Sequence, residues 1–318
     1  MASDFVAPDE RAGLIPRPQL RATSPRYAER AIKAFLFGCA VLSVAVTTAI
    51  VISLLIPTTS FFQEVSLVEF FTGTEWAPAF ADASFGVLPI VVGTLSVVFW
   101  ALIVAVPVGL ASGIYLAEYA PQRLRKALKP ALEVLAGIPT VAIGLFALAF
   151  LRPLAQDALP FLEWRGPFSV GVAGIAVGLM IIPLISSISD DAMRSVPADL
   201  RQGAYALGGT KFEVSTRVVV PAAISGIVAA IVLAASRAIG ETMVVLLAAG
   251  ASPNLTFDPT ASILTMTAFI GQTATGDIAT GTIQYDTIFA VGTLLFVMTL
   301  TMNLFAIRLV RHFREIYE

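Results

Sequence analysis

Residues 202–221 read QGAYALGGTKFEVSTRVVVP. The stretch is polar, carries two adjacent glycines and closes on a proline, yet apolar runs of membrane-spanning length lie on both sides of it. Leu200, Gly203, Ala204 and Leu207 recur at helical spacing, so residues 199–207 predict a short amphipathic helix, and its two smallest residues allow another backbone to approach. Val196-Pro197 breaks the preceding helix and Asp199 is placed to cap this one. Gly208-Gly209 supplies a turn open to positive φ. Thr210 is placed to cap a second helix carrying Glu213 and Arg217, and Pro221 stands where the chain turns apolar again. Upstream, Asp190 and Asp191 after Ser189 read as the N-cap cluster of a further short helix. Caps, periodicity and a glycine hinge together argue for an ordered projection that docks on something, rather than a slack connection.

The rest of the chain says where that projection stands. Of 318 residues, 57% are hydrophobic and 13% are charged, against about a quarter charged in soluble domains. This is the composition of an all-α, polytopic membrane protein embedded in a lipid bilayer. A net charge of −2 argues against a nucleic-acid partner. One cysteine, Cys39, and one histidine, His312, exclude an intrachain disulfide and leave no set for a metal site or a Cys–His nucleophile. No Gly-x4-Gly-Lys-Ser/Thr loop is present, so ATP and its Mg are expected on a partner, with no cofactor in this chain and no catalysis by it.

A span needs about 20 mostly apolar residues. Six runs qualify, at 33–56, 86–116, 132–151, 168–189, 219–250 and 284–307, with Pro107 and Pro183 expected to kink their helices or shift their ends. The organisation expected is an N-terminal tail 1–32, a first span 33–56, a loop 57–85, a core 86–307 with the polar projection at 190–221, and a C-terminal tail 308–318. Residues 1–25 hold Asp, Glu, Arg and Pro without an apolar core, unlike a secretory signal. Basic residues gather in the N-terminal tail, in the loop holding Arg123, Arg125, Lys126 and Lys129, in the projection, and in the C-terminal tail. Segments 57–85 and 251–283 have none, and 152–167 holds only Arg152 and Arg165. The positive-inside bias thus predicts both termini and the projection in the cytoplasm.

Inside the fifth run, SRAIGETM carries Arg237 and Glu241. Arg237 lies about 24 Å along a helix from Pro221, near mid-depth, where a charge costs at least about 2.5 kcal/mol. The i, i+4 spacing places both side chains on one helical face, where they can pair. Arg237 offers a planar fork suited to an oxyanion, and a competing carboxylate at Glu241 favours release; a buried pair that only locks helices is the other reading. Thr140, Thr94 and Ser96 are further polar candidates for a path, of which Thr140 is the strongest. Glu133 is expected beside Lys129, Asp286 at the outer start of the sixth span, and Gly109, Gly113, Gly137, Gly171, Gly174 and Gly178 at helix contacts.

The projection resembles the coupling loop of bacterial ABC importer permeases, a pattern of EAA, three residues, G, nine residues and I-x-L-P. Gln202-Gly203-Ala204 stands at EAA, Gly208 at the glycine, Val218 and Val220 at the aliphatic positions and Pro221 at the proline. Gln202 for Glu, Gly203 for Ala and valine for Ile and Leu are the departures, and Gln202 removes an acidic contact. The runs VGTLSVVFWALIVAVPVGLASGIYLAEYAP, LAGIPTVAIGLF, IIPLISSISDDAMRSVP and SRAIGETMVVLLAAG together are similar to permeases of the phosphate-specific ABC importer, more to the PstC type than to its sister PstA. The resemblance implies a type I importer permease fold in a bacterial plasma membrane, forming half of a path for inorganic phosphate. It implies that Gln202, Gly203, Ala204, Leu207, Gly208, Glu213 and Pro221 couple to a PstB-type ATPase dimer, beside a PstA-type permease and a PstS-type extracytoplasmic binding protein. Importers of sulfate, molybdate or phosphonate share the loop. An ion-coupled secondary transporter needs an internal repeat that the sequence does not display.

Overall fold

The computed structural model describes residues 27–80, 82–276 and 278–313. Most of the expected N-terminal tail and residues 314–318 lie outside them. All regular structure but one small hairpin is helical, because in hydrocarbon the chain must satisfy its own backbone. Among the described residues, five helices are long and apolar enough to span, or six when one bent pair counts as a single span.

Helix α1 (Tyr27–Glu64) runs beyond both ends of the 33–56 apolar stretch. The chain divides after Ile52 into two units. The described part of the first is the N-terminal portion of α1, apolar around its circumference as a membrane span is.

The second unit opens with the end of α1, then α2 (Leu67–Thr72), capped by Ser66, and a hairpin pairing β1 (Trp76–Ala77) with β2 (Ser84–Phe85). Phe61, Phe70, Trp76 and Phe85 are buried in edge-to-face contacts that reach Phe269. Hence much of the segment expected as a loop at 57–85 is ordered on an aromatic cluster.

Next come α3 (Leu88–Ile114), which continues as a π turn over Tyr115–Tyr119, and the amphipathic α4 (Gln122–Ala136). After Gly137-Ile138-Pro139, α5 (Thr140–Phe146), a π turn and α6 (Arg152–Ala158) form one span of 19 residues over Thr140–Ala158. The third span therefore starts eight residues later than its apolar run. The residue before a proline avoids the helical region and Gly137 ends α4, neither of which interrupts hydropathy. Glu133 accordingly lies exposed on α4.

Helix α7 (Val170–Arg194) begins at Ser169, whose Oγ accepts from Val172 N–H at 3.2 Å and donates to Pro259 O at 2.6 Å. Pro107 and Pro183 lie inside continuous helices. The short helices α8 (Ala198–Ala206), α9 (Lys211–Val214) and α10 (Val220–Ala222) follow, with a π turn at Ser215–Val219. The fifth apolar run is broken rather than continuous. It bends by 70° ahead of α11 (Ile224–Ile239) and breaks again before α12 (Met243–Ala248). Helices α13 (Met266–Thr275) and α14 (Ile283–Phe313) complete the chain, with Asp286 in the first turn of α14.

The tightest pairing is α3 against α7, flanked by α11 and then α14. Ile90, Val97, Ala101 and Ala105 face Ala173, Val177, Ile181 and Ile185 in the core. A Cβ on Gly174 would lie 2.5 Å from Trp100 Cβ, and one on Gly178 would lie 2.8 Å from Ala101 O. Gly109 and Gly113 make the same close approach from α3, to Ile185 and Ser186. Gly137 does not, meeting only Val134 O of its own turn at 3.3 Å. The hydroxyls of Thr94 and Ser96 are spent on backbone: Thr94 donates to Ile90 O at 2.8 Å and accepts from Met266 N–H at 3.0 Å, and Ser96 donates to Thr256 O at 3.3 Å.

Gly178→Val pushes a branched side chain against backbone that cannot yield. A cost of about 3 kcal/mol is expected, read as a lower melting temperature and a reduced folded yield in detergent. Gly271→Ala, where the nearest atom is Thr242 Cγ2 at 3.6 Å, should leave both unchanged.

Candidate functional site

The polar stretch folds as an elbow of two short helices. Pro197 ends the Ser195–Pro197 joint and starts α8 without a side-chain cap, so Asp199 lies in the first turn and is not the cap. Gly208 takes φ +86, a conformation side chains resist, and Gly209 N–H donates back to Ala204 O at 3.1 Å. Thr210 then starts α9 in a capping box: its Oγ1 accepts from Glu213 N–H at 3.3 Å, and Glu213 Oε2 accepts from Thr210 N–H at 3.0 Å. Glu213 is thus held by the chain itself, with Arg217 3.9 Å away.

The elbow rests on a second small core, formed by Met193, Val196, Val214, Val219, Ala223 and Ile227, against which Ala204 of α8 and Leu110 and Ile114 of α3 pack. Its outer surface is apolar. Leu207 is 92% exposed, Phe212 67% and Tyr205 43%. Ala204, Leu207, Gly208 and Glu213 line one open recess of about 370 Å³ with Gly209, Val214, Arg217 and Val218. Gln202 and Gly203 are exposed beside it, and nothing lies within 4 Å of a Cβ built on Gly203. Pro221 sits in α10, at the 70° bend. Phe212 and Tyr205 escaped the sequence reading; an aromatic directly after a capped helix start in a polar segment was the available signal.

Behind the elbow lies a cluster of charges that sequence reasoning misplaced. Asp190 and Asp191 are not N-caps; they sit in the last turns of α7. The Asp190 side chain is fully buried and its Oδ2 accepts from Arg125 at 2.7 Å and Lys129 at 3.3 Å, both from α4. Lys129 also reaches Asp191 at 2.6 Å. Burial works against the Lys129 charge, but hydrogen bonds and attraction to Asp191 and Asp190 outweigh it and raise its pKa. The contribution is therefore full at neutral pH and is lost only as pH climbs through the raised value. On the other side, Arg201 of α8 lies 3.2 Å from Glu118 and donates to Met193 O at 2.6 Å.

The second predicted site is at the break between α11 and α12. Arg237 lies in the last turn of α11, exposed, with Nη2 3.8 Å from Met180 Sδ. Glu241 is buried beyond Gly240; its Oε1 accepts from Val244 N–H at 3.3 Å. Among the described residues no ion pair joins Arg237 to Glu241, because the chain leaves helical geometry at Gly240 and the i, i+4 face no longer exists. Arg237 lines an open recess of about 490 Å³ with Leu184, Leu233, Ser236, Gly240 and Asn303. Glu241 and Thr140 are not in that lining; Thr140 is half-buried at the start of α5. Asn303, on α14, had no signal in sequence beyond being a polar residue in an apolar run.

Residues 105–315 match the family described as binding-protein-dependent transport system inner membrane component. The chain belongs to this family. Its relatives include the probable ABC transporter permease protein YqgH of Bacillus subtilis, 35% identical over 82% of this chain and 84% of that one. Phosphate transport system permease proteins PstC match as well: 35% identity with that of Pasteurella multocida, over 71% and 74% of the two chains, and 34% with that of Xylella fastidiosa, over 75% and 77%. The backbone is similar to a chain of a bacterial alginate ABC transporter, with a TM-score of 0.60 at 18% identity over 91% of this chain and 98% of that one. It is also similar to a chain of the MetNI methionine ABC transporter, with a TM-score of 0.52 at 17% identity over 72% and 95%. The fold is that of a type I ABC importer permease.

Two tests separate the elbow from its support. Gly208→Val, strained at φ +86 by about 1–2 kcal/mol, should speed proteolysis within residues 198–221 while the melting temperature of the body stays unchanged. Arg125→Met with Lys129→Met strands the buried Asp190 carboxylate. A global loss of about 3–5 kcal/mol is expected, measured as a fall in melting temperature that adding Asp190→Leu partly reverses.

Proposed function

We propose that this chain is the PstC-type permease of an ATP-driven importer of inorganic phosphate. It forms half of the translocation path, beside a PstA-type sister permease. The elbow inserts α8 into a cleft on a PstB-type ATPase dimer that binds ATP and Mg, and a PstS-type binding protein delivers phosphate to the opposite face. The basic residues of the tails, of α4 and of the elbow support a cytoplasmic position for these in a bacterial plasma membrane, with both termini inside.

The observation that carries the reading is the elbow. A capped and packed pair of helices holds a side chain as apolar as Leu207 almost wholly in the open, with Phe212 and Tyr205 exposed beside it, and such a surface needs a partner to cover it. Phosphate as the cargo is supported by the relatives' names and by Arg237. Arg237 lines an open recess within the spans, and among the described residues its side-chain hydrogen-bond partner is a thioether, a weak acceptor. A planar fork so placed binds a tetrahedral oxyanion transiently. Alternating access then follows from ATPase closure carrying the elbows of the two permeases together.

The complex should co-purify with an ATPase and a second permease, and should take up labelled phosphate in vesicles only with ATP. Sulfate, molybdate and phosphonate should compete poorly; strong competition by one of them transfers the assignment to that anion. Arg237→Gln should lower uptake at least tenfold while the complex still assembles, and normal uptake removes Arg237 from the path.

A further inference from the structure

Besides the small apolar core that it shares with Leu110, Ile114 and Ala117, the elbow makes polar side-chain contacts with the body at one short place. Both of its helices reach consecutive residues in the π turn that ends α3. Arg201 of α8 lies 3.2 Å from Glu118, and the Lys211 ammonium of α9 lies 5.0 Å from the Tyr119 ring centroid. Arg201 also holds Met193 O in the last turn of α7. One guanidinium therefore joins α8 to the ends of both α3 and α7. The covalent route from α7 to α8 is only Ser195, Val196 and Pro197, a joint able to swivel. With that joint alone, a push on the elbow would be absorbed locally.

We infer that Glu118 is the positioning residue through which the elbow moves α3 and α7, with Arg201 as its counterpart. The inference rests on the ATP-driven reading above. The Glu118 side chain is 7% exposed and that of Arg201 23%. Glu118 Oε1 and Arg201 Nε are buried without a hydrogen bond. Pulling α8 away from α3 would therefore strand a buried carboxylate, so the two helices move as one body. Beyond the pair, Gly113 and Gly109 of α3 lie in direct contact with Ser186 and Ile185 of α7. Displacement of the π turn is thus passed to the central pair. Single π turns inside α-helices occur frequently at functional sites, and Tyr115–Tyr119 lies where a push at the elbow meets α3.

The test uses the whole complex in lipid vesicles with its binding protein, with inorganic phosphate uptake and ATP hydrolysis measured on the same sample. Glu118→Gln should assemble and hydrolyse ATP within about twofold of the parent, while phosphate moved per ATP falls at least tenfold. The exchanged pair Glu118→Arg with Arg201→Glu should recover part of that ratio. An unchanged ratio in Glu118→Gln overturns the inference, as does a loss of uptake that only follows a loss of assembled complex. Should Glu118→Gln fail to assemble, Arg201→Lys carries the same expectation, and failure of both to assemble assigns the pair to folding alone. A parent complex without ATP-dependent uptake defeats the importer reading itself, a result distinct from an unchanged ratio in a working parent.

Discussion

The structure depends on how closely α3 and α7 approach. Inside a bilayer the lipid is as apolar as the side chains, so burying leucine against leucine gives helices little reason to associate. Contact between backbones supplies it. Gly174 and Gly178, one turn apart on α7, admit Trp100 and Ala101 of α3 to distances no Cβ would allow, and Gly109 and Gly113 return the arrangement from the other helix. The result is that α7 is the most buried span among the described residues. Everything peripheral to that pair is arranged by it, including the ends of α3 and α7, which are forced side by side with their polar residues.

Those ends explain why the elbow is rigid. Asp190 in the last turns of α7 opposes its own helix dipole, and it is tolerated because α4 folds back to supply Arg125 and Lys129. Arg201 supplies the same service to Glu118. The charged cluster and the small apolar core under Ala204 and Val214 fix the base of the projection, while Gly208 and the Thr210–Glu213 box fix its tip. An exposed surface that meant only to connect two spans would require none of this.

Much of this was legible in sequence, and the misses share a cause. Local signals read well: the glycine turn at Gly208 and the cap at Thr210 each depend on a few neighbouring residues. Hydropathy found the spans but not where the helices break. Gly137-Ile138-Pro139 and Ala238-Ile239-Gly240 are apolar, so backbone direction changes there without a change in composition. Asp190 was misassigned because a local reading treats an acidic pair after serine as a helix start. Its partners Arg125 and Lys129 stand 65 and 61 residues away, and only the fold joins them. Glu118 lies in an apolar run and is one more acidic residue until α8 arrives beside it.

The break at Gly240 changes the meaning of the two intramembrane charges. In an unbroken helix they would neutralise each other, and Arg237 would be occupied. The break instead creates two helix ends inside the bundle, and each end meets the charge that suits it. Arg237 lies in the last turn of α11, where the dipole is negative, and Glu241 accepts from the first turn of α12, where it is positive. Local electrostatics alone therefore accounts for Glu241, whose side chain faces backbone and is buried. It does not account for Arg237 in full, since Arg237 is exposed and lines the open recess with Asn303 and Ser236. Broken helices are tolerated at membrane depth where they line a cavity or are covered by protein. By separating the pair, the break leaves a cation on the recess side and the carboxylate in the wall, an arrangement consistent with the anion path proposed above.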